Sequence, residues 1–166
     1  FNTVAVTDIQ YQVSGSTVTV NAKVKNTGAN EFVGNLRAVA GIQSLVAGQE
    51  LRKAWEQEQE LTFAINEEKI FSFEVPTTNL TAGNYLIGAQ IFHNGFEIAS
   101  RNTDISLLAD YSITAFDDNQ IFNVGSQSAI KVKVKNIGPV EGQATVKLAS
   151  GDIVNSTQTT WLKSGE

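Results

Sequence analysis

The sequence predicts an all-β protein built from tandem immunoglobulin-like or fibronectin-III-like β-sandwiches, of which the second is incomplete. Three observations support this fold class: apolar and polar residues alternate over many short runs, turn residues separate the runs, and one stretch of sequence occurs twice. No long segment shows the period of an amphipathic helix. Short strands with turns at short intervals are typical of a sandwich.

The first clear strand pattern covers residues 17–26. Apolar residues occupy alternate positions at Val18, Val20, Ala22 and Val24. Such alternation predicts a strand with one buried face and one face in water. Asn26-Thr27-Gly28 follows and predicts a turn, because Asn and Gly tolerate positive φ.

Further strands are predicted at residues 31–40, 55–65 and 70–75, the last ending at Pro76 because proline cannot donate a ladder hydrogen bond. A short helical turn over residues 51–54 is an alternative to the start of the second of these strands. Asn94-Gly95 joins two more strand patterns and is the dipeptide preferred in a two-residue type I′ hairpin. We expect the first sandwich to span residues 1–108.

An internal repeat indicates a second sandwich. Residues 23–28 (KVKNTG) recur 110 residues later as 133–138 (KVKNIG), and residues 35–40 align with 143–148 after a two-residue deletion. Residues 109–166 therefore correspond to the first half of a second sandwich, with three strands missing. We expect either that the natural protein continues, or that another chain supplies strands by β-strand addition.

Two further predictions concern the start of the chain and the connection between the two sandwiches. A chain that begins at Phe1 is expected to be a processed or excised piece of a longer precursor. The join, residues 104–111, contains neither Gly nor Pro, which predicts a fairly fixed orientation between the sandwiches.

Composition narrows the function classes. The net charge of −5 disfavours nucleic acid, which needs a cationic surface. The alternating Lys131, Lys133 and Lys135 are expected to form one solvated strand face. The chain has no cysteine, and no apolar run has the length of a membrane-spanning helix. Its polar residues are largely Thr, Ser, Asn and Gln, which are common on the solvent faces of secreted β proteins. We therefore expect an extracellular or cell-surface location.

The titratable residues indicate no catalysis. His93 precedes the hairpin turn and is expected to be a surface histidine without a partner. Glu56, Glu58 and Glu60 alternate along a strand and are expected to face water, although calcium is an alternative. Asp117-Asp118-Asn119 carries the same two alternatives, a turn or a calcium site. The sequence thus predicts no enzyme, no cofactor and no assigned metal ligand.

Two tryptophans and two asparagines are the remaining candidate site residues. Trp55 and Trp161 are predicted to be core or interface residues, with stacking on a sugar as the alternative. Asn79 and Asn155 begin Asn-x-Ser/Thr triplets, the acceptor pattern for N-glycosylation.

The strand that ends in Lys-Val-Lys-Asn-(Thr/Ile)-Gly resembles the cell-adhesion-related domain of bacteria and archaea (CARDB). In that family a hydrophobic strand ends in an Asn-x-Gly turn, and a later segment is similar to residues 82–89. The resemblance covers both copies, except that the second lacks the later segment. It implies an extracellular repeat module without catalytic residues.

Three functions remain open. The first is a structural or adhesive repeat of a cell-surface or filament protein, with protein partners or further copies of the module. The second is a carbohydrate-binding accessory module of a secreted enzyme, with polysaccharide as its partner. The third is a self-assembling fibre subunit completed by a donated strand.

Overall fold

The computed structural model describes residues 4–45, 52–116, 129–150 and 153–166. These residues form strands and connecting loops, and no helix occurs among them, so the all-β prediction is confirmed. In chain order the strands are β1 (Val4–Ser14), β2 (Thr17–Asn26), β3 (Phe32–Ser44), β4 (Arg52–Phe63), β5 (Glu68–Pro76), β6 (Gly83–His93), β7 (Phe96–Leu107), β8 (Tyr111–Phe116), β9 (Val132–Asn136), β10 (Gly142–Ser150) and β11 (Ile153–Leu162).

Strands β1 to β7, the first strand set, form a β-sandwich. One sheet has the order β1-β2-β5 and the other the order β4-β3-β6-β7. Lettered as in immunoglobulin-like domains, these are strands A, B and E facing C′, C, F and G. Buried side chains from both sheets form one hydrophobic core between them. Among the described residues no helix has the length and apolarity needed to cross a membrane.

The alternation in β2 has the predicted consequence. Val18, Val20 and Val24 are completely buried and Ala22 is 1% exposed. Strand β2 pairs with β1 on one edge and with β5 on the other, both antiparallel. Burial of one valine side chain stabilises the fold by roughly 1.5–3 kcal/mol, so this strand is a large contributor to the core.

The predicted hairpin between β6 and β7 is confirmed. Asn94 has a φ of 51° and Gly95 a φ of 80°, both in the left-handed region that a type I′ turn requires. The helical turn considered for residues 51–54 is not formed by its described part, because Arg52 and the two residues after it already belong to β4. Leu51 lies outside the described residues.

Strands β8 to β11, the second strand set, form two smaller sheets. Strand β8 pairs with β9, and β10 pairs with β11, both antiparallel. The division of the chain between residues 108 and 109 stays a prediction.

Candidate functional site

The side chain of Asn26 fastens the turn that follows β2. Its amide nitrogen Nδ2 donates to three backbone carbonyls, Asn30 O at 2.8 Å, Phe63 O at 3.1 Å and Ala64 O at 3.3 Å. Its Oδ1 accepts from the backbone N–H of Gly28 at 2.9 Å. Asn26 is completely buried. The side chain therefore joins the end of β2, the following loop and the end of β4 without leaving its own polar atoms unpaired.

Asn136 repeats this arrangement in the second strand set. Its Nδ2 donates to Val140 O at 2.8 Å and to Leu162 O at 3.1 Å, and its Oδ1 accepts from Gly138 N at 2.9 Å. Asn136 is also completely buried. The two Asn-x-Gly motifs are thus the same structural device, used at the end of β2 and at the end of β9.

The turns at residues 64–67 and 163–166 also match. In each, the fourth residue donates its backbone N–H to the carbonyl of the first, at 3.0 and 3.1 Å. The glutamate at the fourth position accepts from the backbone N–H of the first, at 2.7 and 3.0 Å. The third residue has a positive φ, 64° in Asn66 and 82° in Gly165. These equivalences extend the repeat beyond what the sequence motif shows.

The two-residue deletion expected before residue 143 is wrong. The Asn side chains reach Asn30 and Val140, which lie the same number of residues further along. Phe32 opposes the last residue of β4, as Gly142 opposes the last residue of β11. The second copy is therefore shorter within its β10–β11 hairpin than the first copy is between the ends of β3 and β4. The sequences of these hairpins share no turn motif by which they could be aligned.

The loop after β9 packs against the first strand set and forms a joint. Val140 is completely buried and belongs to the core of the first strand set. Thr77, also buried, donates its hydroxyl to Pro139 O at 2.6 Å. The backbone N–H of Glu141 donates to Leu80 O at 3.2 Å. The same loop thus closes the Asn136 turn and attaches the second strand set to the first.

Close backbone contact holds the other side of the joint. A Cβ on Gly138 would lie 2.5 Å from Asp110 N and 2.7 Å from Leu108 O, so only glycine fits there. The backbone N–H groups of Ile137 and Gly138 donate to Asp110 O at 2.7 and 3.3 Å. Nearby, the Tyr111 hydroxyl is buried without a hydrogen-bond partner in the described part of the chain, and burial raises its pKa.

The two tryptophans lie in different surroundings. Trp55 is half-buried in β4 and stacks on Phe73 with ring centroids 5.7 Å apart. Trp161, in β11, is 61% exposed and pairs in register with the exposed Gln143. Trp55 is therefore a packing residue of the first strand set, whereas the ring of Trp161 lies open to solvent.

The remaining candidates are scattered. Asn79 is exposed in the turn after β5. Asn155 lies within β11, and its side chain falls outside the described part of the structure. Asp117-Asp118-Asn119 lies outside the described residues. Among those described, no cluster of three or more His, Asp or Glu side chains has the arrangement of a metal site.

His93 departs from the prediction of a histidine without a partner. Its ring packs edge-on against Phe32, with centroids 5.3 Å apart, and its Nδ1 lies 3.1 Å from Asn35 O. Its Nε2 lies 3.1 Å from Asn94 Nδ2. A Cβ on Gly34 would lie 2.8 Å from the imidazole, so this glycine lets the ring lie over β3. His93 is therefore half-buried and packs across the sheet.

The glutamate row on β4 faces solvent, as predicted. Glu56 accepts from Arg37 at 2.7 Å and pairs with Lys53. These hydrogen bonds, first from Lys53 and then from Arg37, lower the pKa of the Glu56 carboxyl. Glu58 accepts from Asn35 at 3.0 Å. Such exposed pairs shape a surface and add little stability.

No family model and no curated protein matches the chain. Solved structures that are similar to it include a glycosyl hydrolase family 2 member from Bacteroides cellulosilyticus, with 13% identity, a TM-score of 0.47, and coverage of 79% of this chain and 17% of that one. A Bacteroides uniformis β-glucuronidase has 14% identity and a TM-score of 0.45, with 67% and 15% covered. Thermotoga neapolitana β-glucosidase 3B has 15% identity and a TM-score of 0.44, with 64% and 16% covered.

The chain spans less than a fifth of the length of these three enzymes. Likenesses with TM-scores below 0.5 carry no activity from them to this chain.

Proposed function

We propose that the chain is a non-catalytic structural or adhesive repeat module of an extracellular cell-surface or filament protein. Its organisation is one complete sandwich over residues 1–108 and the first half of a second over 109–166. The joint carries this proposal: Val140 of the second strand set is completely buried in the core of the first. A loosely tethered domain does not place a side chain in its neighbour's core.

The Asn136 turn supports the same conclusion. In the first strand set the printed bonds of the Asn26 side chain fasten strands and loops of one sandwich, whereas in the second strand set the loop after Asn136 also donates to and accepts from residues 77–81. A repeat protein whose turn makes both kinds of contact fixes the angle between successive modules. The resemblance of both turns to the CARDB pattern supports an extracellular setting, with further copies or other proteins as partners.

Electron paramagnetic resonance between two spin labels tests whether the joint is rigid. The chain has no cysteine, so Val33→Cys and Lys147→Cys place two spin labels at unique, exposed positions, one in each strand set. We expect one narrow label-to-label distance distribution. Val140→Asp places a charge in the first core and is expected to broaden the distribution several-fold.

Two further variants show whether a broader distance distribution arises from loss of the joint. Ile137→Asp, at a position 53% exposed, makes the same kind of change three residues away and is expected to leave the distribution narrow. Thr77→Val keeps the shape of the side chain and removes only the bond to Pro139 O, so it tests the joint if Val140→Asp unfolds. A broad distribution in the unaltered chain would refute a fixed joint.

The cellular location needs a separate test. Immunogold electron microscopy of intact source cells, with antibody raised against the purified chain, is expected to label the outside of the cell. Label confined to the cell interior would contradict the proposal.

One observation favours a second candidate, carbohydrate binding. Trp161 is 61% exposed and lies in a strand pair whose neighbouring Thr145 and Thr159 hydroxyls hydrogen-bond at 3.2 Å. An exposed ring beside hydroxyl and amide groups suits the apolar face and hydroxyls of a sugar. Affinity electrophoresis in soluble polysaccharides tests it: retardation that Trp161→Ala abolishes and Trp55→Phe retains supports a sugar site. Equal migration of all three proteins in every polysaccharide counts against one.

A further inference from the structure

The loops that follow β2 and β9 close the same turn with different side chains. The fourth residue after the buried asparagine is Asn30 in the first strand set and Val140 in the second. In both loops the backbone carbonyl of this residue accepts from the asparagine Nδ2 at 2.8 Å. The turn therefore uses only the backbone of this residue, and its side chain is available for another role.

One difference between the two loops lies inside the joint. The loops read TGANE over residues 27–31 and IGPVE over residues 137–141, so they differ at three positions. In the second loop Ile137 is exposed and Pro139 is only partly buried. Val140 is completely buried and belongs to the core of the first strand set. Of the three differences, the exchange of asparagine for valine is therefore the one that docking depends on most.

The segment between β5 and β6, termed the socket, receives the loop after β9 and is held in place by bonds within the first strand set. The backbone N–H of Thr77 donates to Ser16 O at 2.8 Å, and that of Leu80 donates to Thr77 O at 2.9 Å. The Tyr85 hydroxyl donates to Thr81 O at 2.7 Å. These bonds need no residue of the second strand set. Docking onto a segment that is already ordered avoids the entropic cost of ordering it.

The surroundings of position 140 favour an apolar side chain. Thr77 and Leu80 already bond to the loop backbone, the first to Pro139 O at 2.6 Å and the second to the N–H of Glu141 at 3.2 Å. An amide buried beside them gives up its hydrogen bonds to water, which is unfavourable, whereas a valine side chain gains free energy by leaving water. Valine at this position therefore favours docking, and asparagine opposes it.

We propose that the residue four positions after the buried asparagine selects which modules join through the socket. The partner that the socket fits is a module whose loop presents an apolar residue there, as Val140 does. A loop with an amide at this position, like that of Asn30, closes the same turn but does not enter a socket of this kind. This selection rests on the proposed function, because it applies to joints that connect successive modules.

An exchange of loop sequences tests this selection in the whole chain. Ile137→Thr, Pro139→Ala and Val140→Asn together give the second loop the sequence that closes the turn in the first strand set. With the same two spin labels, this triple variant is expected to broaden the label-to-label distance distribution several-fold. The double variant Ile137→Thr with Pro139→Ala, which keeps Val140, is expected to leave the distribution narrow.

Two further variants separate docking from folding of the turn. Asn30→Val makes the reverse exchange in the loop after β2, outside the joint, and is expected to leave the distribution narrow. Val140→Thr keeps the shape of valine and adds only a hydroxyl, so it tests the selection if the triple variant opens the Asn136 turn. It is expected to broaden the distribution while the side-chain amide of Asn136 remains protected from hydrogen exchange.

Two results would overturn the selection and leave the proposed function standing, provided that the unaltered chain gives a narrow distribution. One is a narrow distribution in both the triple variant and Val140→Thr. The other is equal broadening in the double variant, which keeps Val140. A broad distribution in the unaltered chain would instead refute the fixed joint, and with it the proposed function.

Discussion

The two strand sets use the same turn but bury their apolar faces to very different extents. Asn26 and Asn136 are both completely buried, with the same pattern of partners. Val24 is completely buried, yet its equivalent Val134 remains partly exposed. The turn thus forms with strands equivalent to β2, β3 and β4, whereas the core of the first strand set also contains residues of β5, β6 and β7.

The largest effect that tests this comparison is expected from Asn26→Ala. Removing the side chain leaves buried carbonyls and a backbone N–H without partners, at a cost of about 3 kcal/mol in the free energy of unfolding. Asn136→Ala is expected to cost less, about 2 kcal/mol, because the amide nitrogen of Asn136 donates to two backbone carbonyls rather than three.

Urea unfolding followed by fluorescence measures both effects, with Trp55 reporting on the first strand set and Trp161 on the second. Trp161→Phe and Trp55→Phe backgrounds isolate each signal. Asn35→Ala, which removes an exposed asparagine bonded to Glu58, is the matched control and should change stability little. Equal losses at the two buried asparagines would show that the additional hydrogen bond from Asn26 to Ala64 O adds nothing to stability.

A smaller difference is expected between the tryptophans. Trp55→Ala removes the ring that stacks on Phe73 and should lower the free energy of unfolding by about 2 kcal/mol, since full burial of such a ring costs more on truncation. Trp161→Ala should lie within about 0.5 kcal/mol of the unaltered protein, because the ring is largely exposed. Differential scanning calorimetry gives both values, and a large loss from Trp161→Ala would place that ring in a packed contact.

The smallest effect concerns the outer face of β4. Hydrogen bonds from Lys53 and Arg37 keep the pKa of Glu56 below its ordinary value of 4.5. The stabilisation is therefore present above the unfolded pKa and is lost as pH falls through the lower folded pKa. Titration of the side-chain carboxyl by NMR should give a midpoint below 4.5, and Lys53→Gln should raise it. An unchanged midpoint in Lys53→Gln would show that the pair does not persist in solution.

Local patterns in the sequence predicted most of the fold. Alternation of apolar and polar residues identified β2, and Asn94-Gly95 identified the hairpin between β6 and β7, because both signals arise from neighbouring residues. The Asn-x-Gly motif identified two turns but not the burial of the asparagine side chains, since their partners Phe63 and Leu162 lie far along the chain. A hydrogen-bond partner far along the chain leaves no signal in the alternation of apolar and polar residues.

The joint was predicted only as a stiff connection and not as a set of residues. Val140 and Thr77 are an ordinary apolar and an ordinary polar residue in loops, and nothing nearby marks them for burial. The proline before Val140 and the glycine at 138 were the available signals, but both also fit a simple turn. His93 was mispredicted for a similar reason: the hairpin was correct, while its packing on Phe32 depends on the neighbouring strand β3.

The burial of Val140 has a mechanical consequence. Tension applied between the ends of the chain must pull this side chain out of the first core and break the bonds of Thr77 and Glu141 before the strand sets separate. Short-range contacts of this kind yield over a few ångströms and re-form when tension falls. Rupture of this joint would then absorb part of a sudden pull over a short extension while the sandwich beside it stays folded.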